Sequence, residues 1–136
     1  MIYNNLLIHN DIFEKLSNIS SNKKIQNSYI FHGQKGIGKE AHAIEFFALL
    51  NCNNNNTDCN SCSSCNKTKV LQHELLNIIL PLPKNKSITK NDSALKTLDN
   101  KQLDELTKEF QAKGHNPYHK IKLRNANTIL INSIND

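Results

Sequence analysis

The stretch Gly33-Gln34-Lys35-Gly36-Ile37-Gly38-Lys39 decides the fold of this chain. It fits the pattern G-x-x-x-x-G-K, in which small residues let backbone N–H groups close around phosphate oxygens and the lysine supplies a positive charge. The next residue is Glu40, where such loops usually carry a serine or threonine that binds Mg²⁺ through its hydroxyl. A carboxylate at that place repels nucleotide phosphates unless a metal ion intervenes. The loop is therefore either a working site for ATP and Mg²⁺ or only the scaffold of one.

The residues on both sides of this loop predict a strand before it and a helix after it. Residues 29–31, Tyr-Ile-Phe, form a short β-prone run that stops at the loop. Residues 41–50 are rich in apolar side chains and contain no glycine or proline, which is typical of a buried helix. In this order the start of the helix points its free N–H groups and positive dipole end at an anion.

The remaining periodic segments complete a predicted α/β fold. Residues 11–19 predict an amphipathic helix, residues 76–80 a second buried strand, and residues 98–113 an amphipathic helix that ends at Gly114. The Asp104-Glu105 pair is not the acidic strand-end motif of ATPases, because it lies inside a helical pattern. Strand, loop and helix in this order predict an α/β fold, and 136 residues are enough for one domain.

Four cysteines follow the predicted loop helix at the spacing of a metal site. They run C-x6-C-x2-C-x2-C at Cys52, Cys59, Cys62 and Cys65, and four thiolates at such spacing can surround a Zn²⁺ ion tetrahedrally. Because four sulfurs complete the coordination shell, the predicted zinc is structural and leaves no position for a catalytic water. The nearest histidine, His73, is then surplus and is predicted to be an ordinary surface or helix-end imidazole. An iron–sulfur cluster remains the competing use of the four cysteines.

Composition bounds the class of protein and its location. The chain has 136 residues and no apolar run near the roughly 20 residues that cross a bilayer. The amino terminus lacks the features of a secretory signal, so the expected location is the cytoplasm, where clustered cysteines bind metal more often than they form disulfides. The formal charge of +5 is spread along the chain and Arg124 is its only arginine, which predicts a lysine-rich solvated surface and at most sequence-independent contact with DNA.

Together these motifs resemble the amino-terminal AAA+ domain of bacterial clamp-loader subunits, the delta-prime and gamma/tau subunits of DNA polymerase III. The residues that carry the resemblance are the loop ending Gly-Ile-Gly-Lys, the helix ending Ala-Leu-Leu-Asn-Cys, the cysteine spacing and the pair His73-Glu74. They cover roughly residues 2 to 83. The resemblance implies that residues 1–136 form an incomplete three-layer AAA+ domain with a parallel sheet. The cysteines would form a zinc-binding insert, residues 51–66, after its loop helix.

The resemblance implies a role in loading the sliding clamp onto primed DNA, as one subunit of a hetero-oligomer. The nucleotide-binding positions would be Gly33, Gly36, Ile37, Gly38, Lys39 and Glu40. Glu40 favours the delta-prime type, since gamma/tau subunits carry threonine or serine there. By the same resemblance, residues 3–8 would lie near the adenine of a bound nucleotide. The chain ends where further sheet and lid elements are expected, so we expect no ATP hydrolysis by this piece alone. A gamma/tau-type ATPase and a zinc-ribbon nucleic-acid-binding module remain the alternatives.

Overall fold

The computed structural model describes residues 1–7, 9–54 and 59–135 and divides the chain into two compact units. The first unit contains Met1–Leu76 and Gly114–His119, and the second contains Asn77–Lys113 and Lys120–Asp136. The loop between the first two cysteines, predicted over residues 53–56, lies partly outside the described residues, as does Ile8. None of the helices in the described part of the chain is long and apolar enough to span a bilayer.

The first unit is built from three helices. Helix α1 is Asn10–Ser21, helix α2 is Lys39–Asn51 and helix α3 is Ser63–Lys69. The predictions of α1 and α2 are confirmed. Helix α1 has its apolar side chains on one face, α2 is apolar over most of its surface, and neither contains a proline or glycine. Helix α3 was not predicted. At seven residues it is too short to be stable alone, so its stability depends on what it packs against.

The core of the first unit lies between α1 and α2. Leu16, Phe46 and Leu49 are buried together, and the half-buried Tyr29 and Phe31 pack against them. The Tyr29 and Phe46 rings meet edge to face with their centroids 5.0 Å apart. The residue between them in sequence, Ile30, is 88% exposed. The run 29–31 therefore alternates inward and outward side chains as a strand does, with its inner face on α2.

The predicted parallel sheet is absent from the described residues, and this corrects the α/β prediction. Neither residues 29–31 nor residues 76–80 form a strand there, and the one backbone bridge is antiparallel, between Leu82 and Thr128. Composition and alternation favour an extended backbone, but a strand also needs a neighbour in register along its length. A three-residue run offers few ladder hydrogen bonds, and the two runs fall largely in different units. The sequence pattern of residues 29–31 thus indicated which side chains face inward, but it did not indicate whether that backbone pairs with another.

The second unit combines a 3₁₀ turn, Ala94–Thr97, with helix α4, Asn100–His115, and the short helix α5, Asn132–Asn135. Helix α4 starts with a reciprocal cap: Gln102 N–H donates to Asp99 Oδ1 at 2.8 Å, and Asp99 N–H donates to Gln102 Oε1 at 3.0 Å. This arrangement satisfies two N–H groups that a helix start otherwise leaves unpaired. The α4 prediction is confirmed within two residues at each end.

The end of α4 belongs to the first unit and lies against α3. Gly114, predicted to terminate the helix, is instead inside it, and a Cβ added there would lie 2.8 Å from the backbone oxygen of Lys69. Glycine is therefore needed for close approach of two backbones.

We expect Gly114→Ala to lower the free energy of unfolding by about 1–3 kcal/mol, although alanine normally favours a helix. The clash is with a backbone atom, which cannot rotate away as a side chain can. Urea denaturation measures the effect. The control is Lys108→Ala, because Lys108 is exposed on the same helix, whereas the side chain of Lys113 is buried. Equal or greater stability of Gly114→Ala would show that the two backbones are farther apart.

Candidate phosphate loop and metal centre

The glycine-rich loop (residues 33–39) adopts a backbone that only glycine accepts easily. Gly36 and Gly38 have φ values of +86° and +81°, in the left-handed region. Gly38 is also the residue that caps the start of α2, and its carbonyl accepts from His42 N–H at 3.0 Å and lies 2.8 Å from His42 Nδ1. The predicted loop followed by a helix is present, with the loop exposed at the amino end of α2.

The lysine of this loop binds the loop itself. Lys39 Nζ donates to the carbonyl oxygens of Gln34 at 2.7 Å and Gly33 at 3.0 Å. The ammonium group thereby satisfies carbonyls that point inward in the loop. A phosphate group would have to compete with these two hydrogen bonds for the same charge.

The residue after the lysine places a negative charge in the first turn of α2. Glu40 is exposed there. Burial raises the pKa of the Tyr3 phenol most, and the charges of Glu45 and Glu40 raise it further. A carboxylate close to a helix start lowers the positive potential that would attract an anion. Whether the loop is a working phosphate site or only its scaffold stays a prediction.

The amino-terminal segment is held beside the loop by contacts that sequence patterns do not reveal. Tyr118 Oη accepts from Leu7 N–H at 2.9 Å, and a Cβ on Gly38 would lie 3.0 Å from Leu6 Cδ1 and 3.1 Å from Tyr118 Cε1. Farther along α2, the buried Glu45 accepts from the N–H groups of Ile2 at 3.0 Å and Tyr3 at 2.6 Å. Residues 1–7 are therefore held at two places, to Glu45 of α2 and to Tyr118 beside the loop.

The four cysteines come together as predicted. Their sulfur atoms all lie within 4.8 Å of one another, with 3.6 Å between Cys52 and Cys59 and 4.0 Å between Cys59 and Cys65. Cys52 directly follows α2, Cys62 caps α3 and Cys65 lies in its first turn. The thiols are free, and these separations are well beyond the roughly 2 Å of a disulfide.

Backbone N–H groups point at two of the sulfurs. Cys62 N–H donates to Cys59 Sγ at 3.3 Å, and Cys65 N–H donates to Cys62 Sγ at 3.4 Å. Hydrogen bonds from the Ser61 backbone and side chain, and then from Cys62, lower the pKa of the Cys59 thiol to about 6. The Cys65 N–H is the main cause of a lowered pKa at Cys62, whereas burial raises the pKa of Cys65 to about 12. Donors aimed at sulfur stabilise the thiolate, which is the form that binds metal.

These distances fit one zinc-sized ion. Zn–S bonds of about 2.3 Å in a tetrahedron place the sulfurs about 3.8 Å apart, close to the separations found here. The buried Cys52 and Cys65 and the half-exposed Cys59 and Cys62 could hold such an ion between α2 and α3. His73 is not part of this group, as expected, but it is not a surface residue, since its side chain is only 10% exposed.

Comparison with known proteins gives the family. Residues 8–136 match the model of the family described as DNA polymerase III, delta subunit. The chain belongs to this family. The resemblance to DNA polymerase III clamp-loader proteins is therefore confirmed at the level of the family.

Two plant proteins are also similar to part of the chain. Over 65 residues it is 37% identical to STICHEL-like 3 and 35% identical to STICHEL-like 4 of Arabidopsis thaliana, which covers 46% of this chain in each case. The chain spans only 6% and 7% of the length of these relatives. No solved structure matches it.

Proposed function

We propose that the chain is part of a delta-prime-type subunit of the bacterial replicative clamp loader, which helps place the sliding clamp on primed DNA. The observation that carries this choice within the family is Glu40, directly after the loop lysine. A subunit of this type assembles with other clamp-loader subunits and acts as a rigid partner. It reaches the clamp and primed DNA through that complex, in the cytoplasm.

In this proposal the glycine-rich loop is a degenerate nucleotide site. Its positions are Gly33, Gly36, Ile37, Gly38, Lys39 and Glu40. The internal hydrogen bonds of Lys39 and the charge of Glu40 both support a loop that keeps its shape without phosphate.

The metal centre is proposed as a structural zinc insert over residues 51–66, within a partial AAA+-type domain of residues 1–136. Zinc bound by Cys52, Cys59, Cys62 and Cys65 would link the end of α2 to the start of α3. The sulfur separations support this metal, and the short α3 explains why the fold needs it.

A gamma/tau-type ATPase is the second candidate, because the loop keeps its lysine and its left-handed glycines. Nucleotide binding separates the two. We expect the natural protein to bind Mg²⁺-ATP no more tightly than millimolar, and Glu40→Thr to bind at least about tenfold more tightly, since one carboxylate beside the phosphates is replaced by a hydroxyl.

Isothermal titration calorimetry measures this binding, and adding Lys39→Ala to Glu40→Thr controls for binding elsewhere. Micromolar Mg²⁺-ATP affinity of the natural protein would favour the ATPase instead. Native mass spectrometry of the full-length protein with the other clamp-loader subunits of its organism tests the assembly itself. Failure to enter that complex would reject both subunit types.

A further inference from the structure

His73 lies where three parts of the first unit meet. Its ring contacts the Phe47 ring of α2 edge to face, with 5.1 Å between centroids. Its Nε2 lies 3.0 Å from Ser64 Oγ of α3, and its Nδ1 lies 3.1 Å from the backbone nitrogen of Leu75. One side chain thus connects α2, α3 and the segment that follows α3.

The hydrogen bonds fix the roles of the two ring nitrogens. The Leu75 N–H can only donate, so Nδ1 is the acceptor and carries no proton. In the neutral ring the proton is then on Nε2, which donates to Ser64 Oγ. Each nitrogen has a partner of the right kind, and the ring cannot turn over without losing both.

The partners of His73 are next to the cysteine ligands. Ser64 is buried and stands directly before Cys65 in the first turn of α3, and α3 begins after Cys62. Phe47 is in the last turns of α2, and Cys52 follows that helix. His73 therefore contacts both α2, which Cys52 follows, and α3, which Cys62 caps and which contains Cys65.

We propose that His73 is a positioning residue for the metal centre: through Ser64 and Phe47 it sets the distance between α2 and α3 and so preorganises the four sulfurs for one ion. This inference rests on the proposed zinc site. His73 does not bind the metal, because four sulfurs close the shell. It acts on affinity, as residues that orient metal ligands commonly do.

The test measures the affinity of the natural protein and its variants for Zn²⁺ by competition with a chelator of known affinity. We expect His73→Ala and Ser64→Ala each to weaken Zn²⁺ binding about 10- to 100-fold. The double variant is expected to lose little more than His73→Ala alone, because the hydrogen bond that Ser64→Ala removes is already absent there. His9→Ala, an exposed histidine that makes no side-chain cap at α1, is the matched control and is expected to bind like the natural protein.

Two further variants separate the hydrogen bond from the bulk of the ring. The amide nitrogen of His73→Gln can reach the place of Nε2 and donate to Ser64, whereas the shorter His73→Asn can replace only the Nδ1 acceptor. We expect His73→Gln to retain more Zn²⁺ affinity than His73→Asn. The tetrahedral cobalt spectrum is expected to keep its four-thiolate form in every variant, since no ligand changes.

Unchanged Zn²⁺ affinity in both His73→Ala and Ser64→Ala overturns the proposal, as does a cobalt spectrum that changes its ligand set when His73 is replaced. Should His73→Ala fail to fold, Ser64→Ala and His73→Gln decide the question with smaller changes of shape. If the natural protein binds no metal at all, the zinc site itself is rejected. If instead the natural protein binds Zn²⁺ and the His73 and Ser64 variants bind it equally tightly, only the positioning role is rejected.

Discussion

Replacing Cys65 by serine is expected to abolish tight metal binding and to unfold α3. Cys65 is fully buried and its sulfur is one of four that face one point. A hydroxyl is a poor zinc ligand, and structural zinc sites contribute roughly 10–16 kcal/mol to folding of small metal domains. Loss of one ligand should therefore weaken Zn²⁺ binding by at least about 1,000-fold.

The expected structural consequence is local. Helix α3 has seven residues and cannot be stable alone, so amide hydrogen exchange over Ser63–Lys69 should become fast in Cys65→Ser. The matched control is Ser63→Ala, an exposed position in the same helix turn, which should bind Zn²⁺ and exchange like the natural protein. Slow exchange of α3 and tight Zn²⁺ binding in Cys65→Ser would mean that the sulfurs do not share an ion.

Glu45→Ala is expected to give the second large effect, a loss of about 3 kcal/mol in the free energy of unfolding. The Glu45 side chain is buried in α2 and accepts the N–H groups of Ile2 and Tyr3 through its two oxygens. Alanine leaves two buried donors without their acceptor and opens a cavity beside them.

Urea denaturation measures the loss, and amide exchange at Ile2 and Tyr3 shows whether the amino-terminal segment has detached. Glu45→Gln retains the shape and one acceptor oxygen, so it should cost less than Glu45→Ala. Glu14→Ala, an exposed glutamate on α1, is the control and should change stability little. Natural stability and unchanged exchange in Glu45→Ala would show that this contact does not hold the segment.

The parts of the structure that the sequence predicted are the local ones. Loop glycines at Gly36 and Gly38 are required by the backbone itself, and the pattern of α2 appears in a single continuous segment. The cysteine spacing predicted that the four thiols come together, because three of them lie within seven residues and the fourth follows α2 directly. Such features depend on neighbours in the chain.

The parts that could not be predicted depend on residues distant in sequence. The contact of Glu45 with Ile2 and Tyr3 joins residues more than 40 positions apart, and nothing in the α2 pattern marks a buried carboxylate. The burial of His73 could not be predicted, because its partners come from the packing of α2 and α3. The place of Gly114 inside α4 could not be predicted either, because close approach to another backbone leaves no signal in a single sequence.

The wrong prediction of a parallel sheet has the same origin. The run around Ile30 has the composition and alternation of a strand, and its inner side chains do pack on α2 as a strand of this type would. Those three residues do not determine which other backbone, if any, they pair with.

Metal content is the measurement that tests the account most directly. The protein, purified under reducing conditions without added metal, is analysed by native mass spectrometry, and its thiols are counted before and after chelation. We expect one zinc ion per chain, four thiols protected until the chelator is added, and a tetrathiolate cobalt spectrum after exchange. A metal-free protein whose four cysteines react freely from the start would contradict the shared ion and, with it, the proposed zinc insert.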